Sequence, residues 1–455
     1  MFTDRSDLLR DNPTQLNYGV AVVDVLGNGQ FAFFVAGFGF ANQALCWDGS
    51  GYRDVAGPVL ADETRRAIGV AAGDIDGDGR EEIYILNTDT FAGPKHFADR
   101  LFDFHDGTWH DLFAQPQYRS LANLAAGRSV ACIDRSGQGR YGFFVANYGR
   151  PMRLYELDSD GQLVDMAPEL GMNFTTGGRS LLVGPILSNY QDLFAANEHG
   201  SNFFFRNRGD GQFDEIAQSI GLADDEENGR GVAILDADGD GLWDIVLGNW
   251  EGRNRLFMQE TPGYFRDRAP MGMALPTTVR TVIAADFDND GYEEILFNNI
   301  GEPNRLFARR KETWSLVEIG DALEPEGLGT GGAVADLDGD GRLELLLAHG
   351  ESNVQPLSLY HGPANANAWL RVRPLTPSGA PARGALVLLH AAGRTQRRII
   401  DGGSGYLCQM EPVAHFGLGS HETVEWVRIR WPHGATLTLD HPAVRTTHIV
   451  SPPPL

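Results

Sequence analysis

An acidic nonapeptide that recurs in register is the feature that most constrains the fold. "DIDGDGREE" at 74–82 returns as "DADGDGLWD" at 236–244, "DFDNDGYEE" at 286–294 and "DLDGDGRLE" at 336–344, each reading Asp-x-Asp-x-Asp-Gly-x-x-Asp/Glu. Weaker copies fit the same frame at 24–32, 134–142 and 184–192. Seven strand-rich units at a period of about 50 residues predict a seven-bladed β-propeller.

Each unit carries apolar segments that predict four strands. In the fifth unit "GVAIL" precedes the acidic turn, "DIVLGN" follows it, and "NRLFMQ" and "GYFRDRA" come next. A propeller blade typically consists of four strands. The second unit holds extra residues around "DTFAGPKHFAD" (89–99), which we place in a loop.

The seventh unit lacks its fourth strand, because the chain leaves the repeat after "PLSLYHG" (356–362). Residues 2–5, "FTDR", resemble the missing segment. We therefore predict a propeller over residues 1–362 whose ring is closed by the N-terminal strand, which would cover the edge that an open array exposes.

The acidic frame has the ligand order of a calcium loop. Ca²⁺ takes about 6–8 hard oxygen ligands, and the Gly permits a sharp turn. The last carboxylate falls at position nine rather than twelve and the flanks are strand-like, so a hairpin loop is predicted and not an EF-hand. Ordinary Asp-Gly turns are the alternative. The predicted ligands of about four Ca²⁺ ions are Asp74, Asp76, Asp78, Glu82, Asp236, Asp238, Asp240, Asp244, Asp286, Asp288, Asp290, Glu294, Asp336, Asp338, Asp340 and Glu344.

Charge is distributed unevenly along the chain. The formal net charge is −24, yet residues 365–455 hold nine Arg and five acidic residues, a net +4 that leaves −28 for the remainder. So acidic a chain is not expected to bind nucleic acid or anionic membranes. No apolar run approaches the ~18 residues of a transmembrane helix. The asymmetry predicts two domains that dock electrostatically.

Residues 365–455 alternate apolar and polar positions in "WLRVR", "ALVLLH", "VEWVRIRW" and "TLTLD". This pattern predicts an antiparallel β domain, a small sandwich. Its arginines, including Arg394, Arg397 and Arg398, are expected to face the acidic propeller or solvent, or else to grip an acidic polymer. "GGSGY" at 402–406 fails the Gly-x-Ser-x-Gly pattern and is interpreted as a turn.

The face opposite the acidic loops is the candidate ligand face. An Arg recurs where the inner strands begin, at Arg128, Arg179, Arg230 and Arg280, with Arg66 as a further candidate. Acids recur in the loops after the second strands, at Glu198, Glu251, Glu302 and Glu351. These groups predict either Arg–Glu pairing between blades or an anion-binding ring. Tyr148 and Trp250 are candidates to stack on a sugar or to pack the rim.

The acidic units resemble the FG-GAP (VCBS-type) repeats of integrin-like seven-bladed propellers. The tail pieces "RGALVLL", "GGSGYLCQ", "HFGLG" and "VRIRWPHG" resemble an ASPIC/UnbV domain. Together they give the layout of the cartilage acidic protein family. The resemblance implies calcium binding and, in animal members, an extracellular matrix or adhesion role, hence export. Residues 1–12 lack the basic start and apolar block of a signal peptide, so the compartment stays open.

Two functions follow. The first is a calcium-binding propeller that acts as a binding or adhesion-type interaction module, with a protein or glycan ligand at its mouth. The second is a propeller enzyme of a bacterial biosynthetic pathway with its active site at that mouth. Matches to enzyme motifs are few and incomplete, and no catalytic residue is predicted, which favours the binding module.

Overall fold

Seven blades of four antiparallel strands form a ring in the computed structural model, which describes residues 1–310 and 312–454. The predicted seven-bladed propeller with a C-terminal sandwich is confirmed. Strands of the first four blades are β2 (Asn17–Val23), β3 (Ala32–Gly37), β4 (Gln43–Trp47) and β5 (Tyr52–Asp54); β6 (Ala67–Gly73), β7 (Glu82–Asn87), β8 (Arg100–His105) and β9 (Thr108–Asp111); β10 (Gly127–Ile133), β11 (Gly142–Pro151), β12 (Arg153–Leu157) and β13 (Leu163–Asp165); and β14 (Thr175–Gly184), β15 (Asp192–Asn197), β16 (Phe203–Asn207) and β17 (Phe213–Glu215).

The last three blades contain β18 (Gly229–Leu235), β19 (Asp244–Asn249), β20 (Arg255–Thr261) and β21 (Tyr264–Asp267); β22 (Val279–Ala285), β23 (Glu294–Asn299), β24 (Arg305–Arg310) and β25 (Thr313–Val317); and β26 (Gly329–Ala335), β27 (Glu344–His349), β28 (Ser358–His361) and β1 (Thr3–Asp4). Short helices α1 (Gly57–Ala61), α2 (Ala217–Ile220) and α3 (Met271–Ala274) and 3-10 turns at Ser6–Leu8, Leu112–Ala114 and Asp321–Leu323 connect blades. No helix within the two described ranges has the length and apolar character needed to cross a bilayer.

The hydrophobic core of the ring is divided among the interfaces between neighbouring blades. Small residues at the inner strands let blades approach closely, and larger aliphatic side chains of the second strands fill the space. Between the fifth and sixth blades, for example, Ala233 and Val246 pack with Val282 and Ile295. Burying one such aliphatic side chain contributes about 1.5–3 kcal/mol.

The seventh blade takes its outer strand from the start of the chain. Thr3 pairs with His361 and Asp4 with Tyr360. The Phe2 side chain is 3% exposed, and its ring lies 4.8 Å from that of Phe287. Chain segments more than 350 residues apart in sequence therefore share one sheet.

The C-terminal domain is a sandwich of a three-stranded and a four-stranded sheet. Its strands are β29 (Ala368–Pro374), β30 (Leu386–Ala391), β31 (Arg394–Ile399), β32 (Ala414–Gly419), β33 (Trp426–Arg430), β34 (Thr436–Asp440) and β35 (Thr447–Val450). The expectation of a wholly antiparallel domain is wrong at one pair, since β29 and β35 run parallel with Arg371 opposite Thr447. They do so because the chain crosses from β34 in one sheet to β35 in the other.

Residues 402–410, which we call the channel segment, leave the sandwich between β31 and β32 and enter the centre of the ring. Gly405 and Val232 donate backbone hydrogen bonds to each other at 2.7 and 2.9 Å. The Gln409 amide donates to the Val20 carbonyl at 3.0 Å. The segment thus satisfies its backbone groups on inner strands of the ring, which is how irregular chain can be buried.

Candidate functional site

The four intact acidic loops share one local geometry. Each lies between the first and second strands of a blade, and its last acid begins the second strand. In the second blade the Gly77 amide donates to Asp74 Oδ1 at 2.6 Å, and the Ile75 amide donates to Glu82 Oε2 at 2.6 Å. The same acceptance by the last acid recurs at Asp244, Glu294 and Glu344. Backbone amides therefore hold the carboxylates in place on the hairpin.

The predicted ligands come together in space. Carboxylate oxygens lie within 4.8 Å of one another in sets that include Asp74, Asp76 and Asp78; Asp236, Asp238 and Asp244; and Asp336, Asp338, Asp340 and Glu344. In the sixth blade burial first, and then neighbouring carboxylates, raise the pKa of Glu294 well above its ordinary value. Like charges are thus gathered in all four loops.

Several of these carboxylates have an oxygen without a hydrogen-bond partner. Asp286 Oδ1, Asp336 Oδ1 and Glu344 Oε1 are buried without a hydrogen-bond donor among the residues that the structure describes. Burial raises the pKa of Asp74 to about 6 and that of Asp244 to about 7. Carboxylate oxygens that are buried, clustered and without hydrogen-bond partners are suitable ligands for a hard divalent cation such as Ca²⁺.

Two neighbours of these loops escaped the sequence prediction. Asp103 lies beside Asp76 and Glu82, and His361 lies beside Asp338 and Glu344. His361 sits directly across the sheet from Glu344. Both residues could have been predicted from the sequence, because the third strand of each blade places one residue opposite the last acid of the loop.

The C-terminal domain covers the acidic-loop face and contacts the first Asp of every intact loop. These contacts are Ser378 Oγ to Asp74 Oδ2 at 2.9 Å, Arg397 Nε to Asp236 Oδ2 at 3.6 Å, the Gly417 amide to Asp286 Oδ2 at 3.0 Å, and Arg371 Nη1 to Asp336 Oδ2 at 3.1 Å. Arg394 donates to the Gly291 carbonyl and Arg398 pairs with Glu293 at 3.2 Å. The tail arginines named from the sequence therefore face the acidic propeller.

At the opposite face, one residue per blade lies at the same register position of the inner strand. The seven are Tyr18, Ile68, Arg128, Arg179, Arg230, Arg280 and Thr330, each directly after a residue that pairs across to the end of the second strand. The ladder shifts register at each of these positions, and such bulges re-aim side chains. Arg66 is not equivalent, since Ile68 holds that position, and its guanidinium lies 5.5 Å from the Phe38 ring instead.

The four arginines are buried at this mouth. Their exposed fractions are 8% for Arg128, 2% for Arg179, 3% for Arg230 and 8% for Arg280. Arg179 and Arg230 share Glu198, Arg280 pairs with Glu351 at 2.9 Å, and Arg128 donates to the Thr90 and Phe91 carbonyls. Glu251 and Glu302, the other predicted acids, form no ion pair here among the described residues.

Tyr148 and Trp250 are covered by these guanidiniums. Arg179 stacks 4.7 Å above the Tyr148 ring, and Arg280 stacks 4.3 Å above the Trp250 ring. Cation–π contacts of this kind are worth about 0.5–2 kcal/mol. The two aromatic residues therefore help to orient the arginines, and Trp250 also lines the mouth cavity.

The channel segment supplies the floor of the mouth. Tyr406 Oη lies 3.4 Å from Arg179 Nη1, and the Tyr406 amide donates to Thr281 Oγ1. Burial raises the pKa of Tyr406, but the guanidiniums of the four arginines outweigh it and hold the pKa below its ordinary value. Above it opens a cavity of about 490 Å³.

Phe91 forms part of the cavity wall and comes from the extra residues of the second blade. Neither Phe91 nor Tyr406 was predicted from the sequence. The insertion itself was recognised, but nothing in its letters places it over the mouth.

Comparisons with known proteins agree with both parts of the fold. A family model described as ASPIC and UnbV matches residues 375–454, and one described as an FG-GAP-like repeat matches residues 188–247, 236–297 and 286–347. Cartilage acidic protein 1 of Xenopus tropicalis is 49% identical, covering 94% of this chain and 72% of that protein. The Homo sapiens protein of the same name is 50% identical, covering 93% and 70%.

Among solved structures, the BP39L lectin from Burkholderia pseudomallei superposes with a TM-score of 0.51 at 13% identity, covering 77% of this chain and 99% of the lectin. At that identity the likeness concerns the fold alone.

Proposed function

Because the chain belongs to the cartilage acidic protein 1 family, we propose that it is a calcium-stabilised interaction module of the extracellular-matrix type, with its ligand site at the propeller mouth. The observation that carries the interaction function is the mouth cavity of about 490 Å³, which four buried arginines face. The opposite end of the ring is covered by the C-terminal domain, so the mouth is the face left for a ligand.

Calcium would be held by the sixteen acids of the four intact loops. A bound ion supplies two positive charges that neutralise the carboxylates. The loop amides orient the first and last acids, and the orphaned oxygens of Asp286, Asp336 and Glu344 are the acceptors in need of a cation. Free energy of ion binding adds to the stability of the fold that contains the site.

Binding of the full chain to immobilised matrix polymers and glycans, in millimolar Ca²⁺ and in chelator, tests the proposal. We expect calcium-dependent binding that the double variant Arg230→Glu/Arg280→Glu abolishes. Arg206→Glu/Arg208→Glu, at two exposed side chains of the fourth blade, is the matched control. Binding that survives at the mouth variant would contradict the assignment of the site.

A mouth enzyme remains the second candidate function. It is favoured by the Tyr406 hydroxyl, a titratable group with a pKa below its ordinary value at the floor of a cavity that four arginines line. Perturbed groups in clefts are frequent in active sites. Product formation from a panel of small metabolites that Tyr406→Phe abolishes would establish it, whereas no turnover by either protein would reject it.

A further inference from the structure

We propose that the mouth binds an acidic sugar, a single ring that carries a carboxylate or a sulfate, in a cage formed by Arg128, Arg179, Arg230 and Arg280 over the Tyr406 hydroxyl. This inference rests on the proposed function, since it names the ligand class for the same mouth. We call the four side chains the arginine cage.

Positive charge in the arginine cage exceeds its local counter-charge. Four guanidiniums face Glu198 and Glu351, which are shared among three of them. Asp89 also lines the cavity, but it accepts hydrogen bonds from the amide and ring of His96. Burial lowers the pKa of Arg179 and Arg230, although a guanidinium stays protonated at neutral pH. An excess of buried positive charge is costly and calls for an anion.

The cage also has unused donors. The Nε atoms of Arg128, Arg179, Arg230 and Arg280 are all buried, and none has an acceptor within the described parts of the chain. Nearly all buried donors in folded proteins are paired. The planar guanidinium fork matches carboxylate and sulfate groups, which accept two hydrogen bonds side by side.

Acceptors beside these donors favour a sugar over a simple acid. Glu198 and Glu351 lie in the same wall and can accept from hydroxyl groups, and the Phe91 side chain is 63% exposed and offers an apolar face. The volume of about 490 Å³ falls within the range of about 300–1,000 Å³ typical of small-ligand sites. An acidic peptide side chain would occupy the cage but would offer no hydroxyl groups to the two carboxylates.

Because of Tyr406, both domains contribute residues to the site. Its hydroxyl lies on the cavity floor, 3.4 Å from the Arg179 guanidinium, while its backbone belongs to the channel segment. Tyr406→Phe removes one hydroxyl without changing the packing of the ring.

Calorimetric titration of the full chain in Ca²⁺ tests the inference with glucuronic acid, glucose 6-sulfate, glucose, inorganic sulfate and an Asp-rich peptide. We expect binding of one or both acidic sugars and none of glucose, and the two sugars separate a carboxylate from a sulfate preference. Arg128→Gln should weaken binding about tenfold or more, as for loss of a hydrogen bond to a charged group. Arg128 suits the test because its protein partners are backbone carbonyls.

Arg206→Gln, at an exposed side chain of the fourth blade, should leave affinity unchanged. Tyr406→Phe should weaken binding several-fold and serves if Arg128→Gln fails to fold. Equal affinity for glucose, a preference for the peptide, binding of inorganic sulfate alone, or unchanged affinity in the mouth variants would each overturn the inference. Polymer binding through the mouth without sugar binding would overturn the inference but keep the proposed function. Sugar binding without any polymer binding would keep the inference but overturn the proposed function.

Discussion

The guanidinium of Arg371, in the first strand of the C-terminal domain, lies 3.1 Å from Oδ2 of Asp336, the first acid of the seventh-blade loop. The other oxygen of this carboxylate, Oδ1, is buried without a partner. Oδ2 of this carboxylate thus contacts the C-terminal domain and also accepts from the loop amide of Gly341. Because corresponding contacts exist at Asp74, Asp236 and Asp286, domain docking and the proposed ion binding would use the same four side chains.

Removal of calcium is therefore expected to loosen the C-terminal domain. Uncompensated carboxylates in the loops repel one another and disturb the first Asp to which the domain docks. Hydrogen exchange of the channel segment, residues 402–410, should speed up in chelator, while outer-strand amides change less. Equal protection of the channel segment with and without Ca²⁺ would show that docking does not depend on the ion.

Arg383 and Glu81 form an interdomain ion pair in which both side chains are buried, with Nε 2.5 Å from Oε1. Arg383→Ala leaves Glu81 uncompensated and should lower the free energy of unfolding by about 3–5 kcal/mol. Chemical denaturation measures this. Arg445→Ala, which breaks the exposed pair with Glu422, is the control and should cost about 1 kcal/mol or less. Similar small losses in both variants would contradict the structure.

Phe2 closes the ring, and Phe2→Ala should lower the free energy of unfolding by about 3–5 kcal/mol, the usual loss for a buried aromatic side chain. Its ring packs on Phe287 and Tyr360 between the sixth and seventh blades. Thermal and urea unfolding check the change. Val59→Ala, at a side chain that is 42% exposed, should be nearly neutral. A neutral Phe2→Ala would mean that the N-terminal strand does not hold the ring.

The His349–Glu324 pair predicts a pH dependence. Burial lowers the pKa of His349, but the hydrogen bond from its Nε2 to Glu324 at 3.0 Å, the charge of Glu324 and the contact with the Pro356 carbonyl together outweigh burial and raise the pKa. A raised histidine pKa gives stability that is complete below about pH 6.5 and is lost as pH rises through the folded-state pKa.

His349→Gln should thus cost more stability at pH 6 than at pH 9, by about 1.5–3 kcal/mol at most, in urea unfolding at the two pH values. His421→Gln, at an exposed histidine, should show no such difference. A cost for His349→Gln that is independent of pH would show that the histidine is not charged in the folded protein.

Much of the ring could be predicted from the sequence because its signals are local. The nonapeptide frame fixes the hairpin at Asp74 and its copies, and the resemblance of residues 2–5 to a fourth-strand segment indicates the closing strand. The Arg repeat at Arg128 and its counterparts likewise follows from one register position.

The role of the channel segment could not be predicted, because long-range docking has no local signature. "GGSGYLCQM" lacks charge between Asp401 and Glu411, which in hindsight marks burial, but the same letters also fit a surface turn. Arg383 is flanked by small residues, and nothing in the sequence indicates that it pairs with Glu81. Arg66 was assigned wrongly because a two-residue offset between blades is visible only once the strand register is known.

Calcium titration of the metal-free full chain by calorimetry tests the central claim most directly. We expect about four Ca²⁺ ions per chain, a melting temperature that rises with calcium, and the loss of one ion in Asp286→Asn, whose buried carboxylate belongs to one loop only. The variant Asp24→Asn, in a degenerate copy of the frame, should keep all four. Absence of calcium binding, or a stoichiometry that Asp286→Asn leaves unchanged, would contradict a ring held together by ions at its acidic hairpins.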